Sequence, residues 1–286
     1  MKTQRKPEWI RVHLDNTKNL NHTKGIINQF SLNTVCKEAN CPNSLECFSK
    51  KTATFMILGS NCSRNCRFCN VSFSKPDIVD VNEPEKVAKA VAELGLKYAV
   101  ITSVTRDDLP DGGANHFAQV IKWIKKLNPG TAIEVLIPDL KGNIESLKVI
   151  SDSLPTVIGH NVETVPRLYS PVCPQSNYKI SLDVLKNIKL LNPSIRSKTG
   201  IMVGLGETKE ELVELFKDLR EVGCEFLTIG QYLAPSKDHY PIFEYIHPNI
   251  FEEYKKIALE LGFSFVASAP LVRSSYNASE MIKTCN

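Results

Sequence analysis

The run Cys62-Ser-Arg-Asn-Cys66-Arg-Phe-Cys69 sets three cysteines close together, spaced C-x3-C-x2-C. Three thiolates can hold one cuboidal iron–sulfur cluster and leave one iron without a protein ligand. An open iron can bind and activate a small molecule, whereas a fourth cysteine would close the site. The usual C-x2-C pairs of zinc modules do not give this spacing, although a zinc site completed from elsewhere in the chain stays an alternative. A second group, Cys36-x4-Cys41-x5-Cys47, precedes the first. Its spacing alone suits a zinc knuckle, a structural cluster or a functional one. No histidine falls within residues 31–70, so neither group has a local imidazole to complete a Cys3His site.

The elements that must position these thiols are legible from periodicity. From Lys51 onward, short β-rich apolar runs alternate with longer amphipathic ones. Strands are predicted at 53–58, 98–104, 132–137, 157–162, 198–203 and 226–232, with a seventh candidate at 263–268. Helices are predicted at 83–94, 116–127, 179–191, 209–222 and 250–261. The first of them follows Asn82, carries Pro84 in its opening turn and stops at Gly95. Six βα units in succession imply parallel strands joined by right-handed crossovers. The expected architecture is α/β, a partial (β/α)6 TIM-like barrel, with an open doubly wound sheet as the alternative. Either fold gathers function at the C-terminal ends of its strands, which is where the C-x3-C-x2-C run sits. Residues 1–51 show only a short helix near 23–30 and read as an N-terminal extension carrying Cys36, Cys41 and Cys47. Residues 52–262 read as the barrel, and 263–286 as a C-terminal extension.

Composition narrows the class. The 286 residues are 42% hydrophobic and 23% charged, which suits one folded domain with a full core. A net charge of +4 is too mild to imply nucleic-acid binding. Nine cysteines, six of them between 36 and 69, make a poor disulfide framework and fit metal binding in a reducing compartment. No stretch is apolar enough to span a membrane, and the basic N-terminus lacks the apolar run of a secretory signal. The expected location is cytoplasmic.

The two triads do not stand alone. Val272-Arg-Ser-Ser-Tyr276, followed by Asn277-Ala278, lies near the C-terminus. Between them stand Thr102-Ser-Val-Thr-Arg-Asp-Asp-Leu-Pro-Asp-Gly-Gly113, His160-Asn-Val-Glu-Thr-Val-Pro166 and Lys198-Thr-Gly-Ile-Met-Val-Gly-Leu-Gly-Glu207. The C-x3-C-x2-C run after a first barrel strand resembles the radical S-adenosylmethionine superfamily. The order and spacing of all these segments resemble the lipoyl synthases within it, over most of the chain. The resemblance implies two 4Fe–4S clusters. Cys62, Cys66 and Cys69 would hold one, whose free iron chelates S-adenosylmethionine and yields a 5′-deoxyadenosyl radical. Cys36, Cys41 and Cys47 would hold the other, with Ser275 as its oxygen ligand, and that cluster would be sacrificed as the sulfur source. The substrate implied is an octanoyl chain on a lysine of a lipoyl carrier protein or domain. An electron donor and an iron–sulfur cluster carrier are implied as further partners. The chain departs from the family at Cys173-Pro174, where Arg-Pro is usual, so no ligand or phosphate role is carried over to that loop.

Other candidates have plainer readings beside the sharper ones. Gly200, Gly204 and Gly206 would form a backbone surface against the adenosyl group, or serve as strand-end and turn glycines. Asn161 and Glu163 alternate on one face of the fourth strand candidate and are expected to contact the cofactor. Arg106, Asp107 and Asp108 read as a solvated loop with helix-cap acids. Cys224 reads as buried and inert, and Cys173 and Cys285 as incidental. Two readings compete with the leading one. Another two-cluster radical enzyme would show no thiolation of an octanoyl chain, and a non-catalytic metal-binding sensor or scaffold would bind zinc without labile sulfide.

Overall fold

The structure, a computed structural model, describes residues 5–11, 17–50, 53–276 and 278–280. It opens with α1 (Thr17–Gln29), β1 (Asn33–Thr34), α2 (Val35–Glu38) and α3 (Ser44–Ser49). Then comes β2 (Thr54–Ile57), and the short parallel pair β3 (Asn61–Cys62) and β4 (Ser72–Phe73) brackets the cysteine loop. The βα alternation follows: α4 (Glu83–Leu94), β5 (Tyr98–Ser103), α5 (Ala114–Leu127), β6 (Ala132–Leu136), α6 (Ile144–Asp152) and β7 (Val157–Gly159). It continues through α7 (Pro166–Val172), α8 (Tyr178–Leu191), β8 (Arg196–Val203), α9 (Lys209–Glu221), β9 (Phe226–Gln231), α10 (Pro248–Glu260) and β10 (Phe265–Ser268).

The main sheet runs β1-β2-β5-β6-β7-β8-β9-β10. Every neighbouring pair is parallel except β1 with β2. β1 and β10 form its two edges, so the sheet curls without closing. That is the expected partial barrel, with β10 as its seventh parallel strand. Helices cover the outside with apolar stripes at helical spacing. α5 buries Phe117, Val120, Ile121 and Ile124, the i, i+3, i+4, i+7 set of one face. Inside the sheet, Lys198 of β8 and Glu134 of β6 are buried together as an ion pair at 2.7 Å, joined by the Tyr98 hydroxyl.

Four of the observed helices lie outside the predicted ones: the short α2 and α3, and α6 and α7 in the barrel. α6 is capped by Asn143, whose side chain accepts from the amides of Glu145 and Ser146. α7 starts on Pro166 and carries Pro171 internally, so its prolines hide the helical pattern. The fourth strand is also shorter than expected. It ends at Gly159, and Glu163 takes a left-handed φ of 69° while bridging to Ile201 of β8. Asn161 and Glu163 therefore lie past the strand, on the turn that crosses its mouth.

Candidate active site

The C-terminal ends of the strands surround a cavity of about 490 Å³. Cys36, Cys41, Cys47, Cys62, Cys66 and Cys69 all line it, together with Asn161, Glu163, Gly200 and Ser275. Residues from both ends of the chain and from the barrel thus share one space.

The loop carrying Cys62, Cys66 and Cys69 is fixed from within by Arg64. Its guanidinium makes a two-pronged contact with Asp139, at 2.6 and 2.8 Å, and another with Asp107, at 2.7 and 2.9 Å. Asp107 follows β5 and Asp139 follows β6, so one arginine ties the cysteine loop to two strand ends. The planar fork of arginine suits such paired carboxylate contacts, which a lysine cannot reproduce. Replacing Arg64 by Met leaves Asp139 buried without its partner. The expected cost is about 3 kcal/mol of stability, read as a lowered denaturation midpoint. A midpoint unchanged from the wild type would show that the brace contributes nothing net.

The other triad is closed in by the C-terminal segment. Asn43 donates to the Leu271 carbonyl at 2.6 Å, and the Tyr276 hydroxyl donates to the Glu46 carboxylate at 3.1 Å. Ser275 receives a hydrogen bond from Thr54 at 2.8 Å, on the strand that directly follows the triad. Ser274 and Asn161 exchange hydrogen bonds at 2.9 and 3.1 Å, which join the tail to the barrel mouth. This crossing depends on Gly230: a side-chain carbon there would come within 2.1 Å of the Val272 carbonyl oxygen. Gly200 likewise keeps open the place where Asn161, Thr228 and Ser274 meet, each within 3.0 Å of where its Cβ would be.

The electrostatics suit cluster ligands. Burial raises the Cys36 thiol to about 11 and the Cys47 thiol to about 12, and the negative forms of their neighbours add to both shifts. Burial, with repulsion from Cys66 and Cys62, takes Cys69 to about 12. Burial holds Cys41 up as well. All six are free thiols. The four raised thiols, Cys36, Cys41, Cys47 and Cys69, become thiolates when positive charge arrives beside them, which iron–sulfur clusters supply. Among the described residues, no three His, Cys, Asp or Glu groups converge on a point that a single metal ion would occupy. A cuboidal cluster asks for something else, one ligand at each of several separated iron corners. Soft sulfur donors in threes are the set that such a cluster would take. Glu163 is pushed up to about 8, first by burial and then by the nearby Cys66, although Asn161 opposes the shift.

Some sequence readings change. Gly204 and Gly206 do not line the cavity. Gly204 packs on Gln231 and the Glu244 carbonyl, and Gly206 on Phe243, both with positive φ, which is the turn role. Of Arg106, Asp107 and Asp108, only Asp108 is exposed as a solvated loop would have it. Arg106 is buried, bonds Asp108 twice at 2.9 Å and donates to the Leu58 carbonyl, while Asp107 holds Arg64. Cys173 is not incidental, because it lines the cavity in contact with Cys66. Cys224 is fully buried as expected, its thiol raised to about 12 by that burial, and Cys285 lies outside the described residues. Sequence reasoning missed Thr54, Arg64, His160 and Arg273. His160 is buried in the cavity wall between the Ile137 carbonyl and Ser181. Arg273 is half-buried beside Cys41, and that desolvation depresses its pKa. Of these, Arg64 stands inside the cysteine motif and His160 and Arg273 inside the segments that carry the resemblance, while Thr54 carried no signal.

Comparison with known proteins agrees with this geometry. Residues 56–219 match the Radical SAM superfamily. The lipoyl synthase of Alkaliphilus metalliredigens is 62% identical, the alignment covering 99% of this chain and 98% of that one. The lipoyl synthase of Caldicellulosiruptor saccharolyticus is 56% identical over 99% of each chain. Among solved structures, methylornithine synthase PylB superposes with a TM-score of 0.55 at 12% identity, over 74% of this chain and 69% of its own. HydG, a maturase of the FeFe-hydrogenase, gives 0.58 at 16% identity over 74% and 55%. These two likenesses speak to the fold alone. No helix among the described residues is long and apolar enough to cross a membrane. The curled parallel sheet, the paired cysteine triads and the full-length identity together make this chain a member of the lipoyl synthase family within the radical S-adenosylmethionine superfamily.

Proposed function

We propose that the chain inserts two sulfur atoms into an octanoyl chain carried on a protein lysine, giving lipoyl-lysine, with two molecules of S-adenosylmethionine consumed. The observation that carries this reading is the common cavity: both triads and Ser275 line it, so radical and sulfur source would meet one substrate. Cys62, Cys66 and Cys69 would hold the radical-generating 4Fe–4S cluster. Cys36, Cys41 and Cys47, with Ser275, would hold the second. When bound, the first cluster supplies the electron that cleaves S-adenosylmethionine, and the second is the substrate that supplies sulfur.

The chain's own groups do the positioning. Arg64 fixes the cysteine loop against the ends of β5 and β6. Asn161 and Glu163 present polar atoms at the mouth, where S-adenosylmethionine would lie. Gly200 keeps that wall flat. Val104, Leu136, Ile137, Met202 and Leu233 give apolar lining, which suits an eight-carbon chain and excludes water from a reactive radical. The octanoylated carrier protein or domain would deliver that chain on its lysine. An electron donor and an iron–sulfur cluster carrier complete the set of partners.

Ser275 would be a deliberately weak ligand, because an oxygen suits a soft-ligand iron cluster less well than a thiolate. Ser275→Ala is expected to keep a cluster on three cysteines and lose most dithiolated product. Ser275→Cys is expected to bind the cluster more firmly and release its sulfur more slowly. Undiminished product from Ser275→Cys would show that no weak ligand is needed. The function itself is tested by anaerobic reaction of the reconstituted protein with an octanoyl-lysine peptide and S-adenosylmethionine. Mass spectrometry is expected to find a peptide that has gained two sulfurs. Cleavage of S-adenosylmethionine without any thiolated peptide would place the chain among other radical enzymes.

A further inference from the structure

We propose that Cys173 is the resolving thiol of Cys66, so that when a peroxide strips the radical cluster the two close a reversible disulfide. This rests on the reading that Cys62, Cys66 and Cys69 hold that cluster. Cys173 ends α7, its amide bonded to the Tyr169 carbonyl at 2.7 Å. The turn after it is stitched to the cysteine loop on both sides. The Arg67 amide donates to the Val172 carbonyl at 2.9 Å, and the Asn65 amide to the Gln175 side chain at 2.6 Å. These two bonds enclose Cys66 on one side and Cys173 and Pro174 on the other, and both cysteines line the same cavity.

The other two sulfurs face elsewhere. The Cys62 sulfur accepts from the Arg64 amide at 3.4 Å, and the Cys69 sulfur from the Val71 amide at 3.5 Å. Of the three, Cys66 lies on the stretch that is bonded to the turn carrying Cys173. Cys173 is 2% exposed, yet it lines the cavity. A peroxide that enters this cavity meets Cys66 with Cys173 on the neighbouring turn. Backbone contacts anchor both segments, so the pair is held together whether or not iron is present.

The chemistry balances with peroxide as the oxidant. The freed Cys66 sulfur attacks the O–O bond, taking one oxygen as a sulfenic acid and releasing water. The Cys173 sulfur then attacks that sulfur, the S–O bond breaks, and the departing hydroxide takes the Cys173 proton as a second water. Two thiols lose two electrons and one peroxide becomes two waters. Without a resolving thiol, a second peroxide drives Cys66 to the sulfinic acid, which does not return.

The test starts from the reconstituted holoenzyme. Iron is counted, hydrogen peroxide is added, free thiols are alkylated, and peptides are mapped by mass spectrometry. The expected wild-type product is a Cys66–Cys173 linked peptide that dithiothreitol reverses, followed by recovery of most of the iron on reconstitution. In Cys173→Ser and Cys173→Val the linked peptide disappears, Cys66 accumulates as sulfinic acid, and iron recovery falls several-fold. Cys173 that stays fully alkylatable in oxidised wild-type protein, or Cys66 linked instead to Cys62 or Cys69, would overturn the proposal without any variant. If the Cys66→Ala protein binds as much iron as the wild type before peroxide is added, the cluster reading fails instead.

Discussion

A Cys66→Ala protein is expected to make no 5′-deoxyadenosine above background, even with a strong reductant and excess S-adenosylmethionine. Three thiolates are the minimum that fix a cuboidal cluster while leaving one iron open. Two cannot hold its orientation, and the loop has no spare donor in the right place. Cys173 sits against Cys66, but the turn that anchors it leaves from a different strand end. The expected loss is therefore complete and extends to every thiolated product. Liquid chromatography of the nucleoside products checks it. A Cys66→Ala enzyme that still cleaves S-adenosylmethionine would break the assignment of the loop.

The second large effect separates the triads. Changing Cys36, Cys41 or Cys47 to Ala is expected to remove lipoyl formation and leave 5′-deoxyadenosine formation in place. These cysteines come from α2, the turn after it and α3, while the other three follow β2. Neither group shares a ligand with the other. Both product classes are read from one reaction mixture. Loss of both together would mean that the triads act as one unit.

Much of this was legible before any coordinates. The six βα units and the triads stand in the sequence because strand periodicity and cysteine spacing are local signals, whereas Ser275 stood out only through the family resemblance. What closed the site was not local. Thr54 meets Ser275 across more than two hundred residues, and Gly230 matters only because Val272 crosses it. Arg64 reads as a charged residue between cysteines until Asp107 and Asp139 are brought to it by two separate crossovers. Gly204 and Gly206 looked like a cofactor surface because glycines at a strand end serve both purposes, and only the packing of Gln231 and Phe243 against them decides it. Cys173 had no neighbour in sequence to give it meaning, since its partner lies on another loop.

The division of labour between the triads is tested most directly by the origin of the sulfur. The apoprotein is reconstituted anaerobically with iron and heavy-isotope sulfide, freed of unbound sulfide, and allowed one turnover on an octanoyl-lysine peptide with S-adenosylmethionine. Both sulfurs of the lipoyl product are expected to carry the heavy isotope, and the cluster on Cys36, Cys41 and Cys47 to be lost in step with product. A dithiolated product of natural isotopic sulfur, formed while that cluster stays whole, would contradict it.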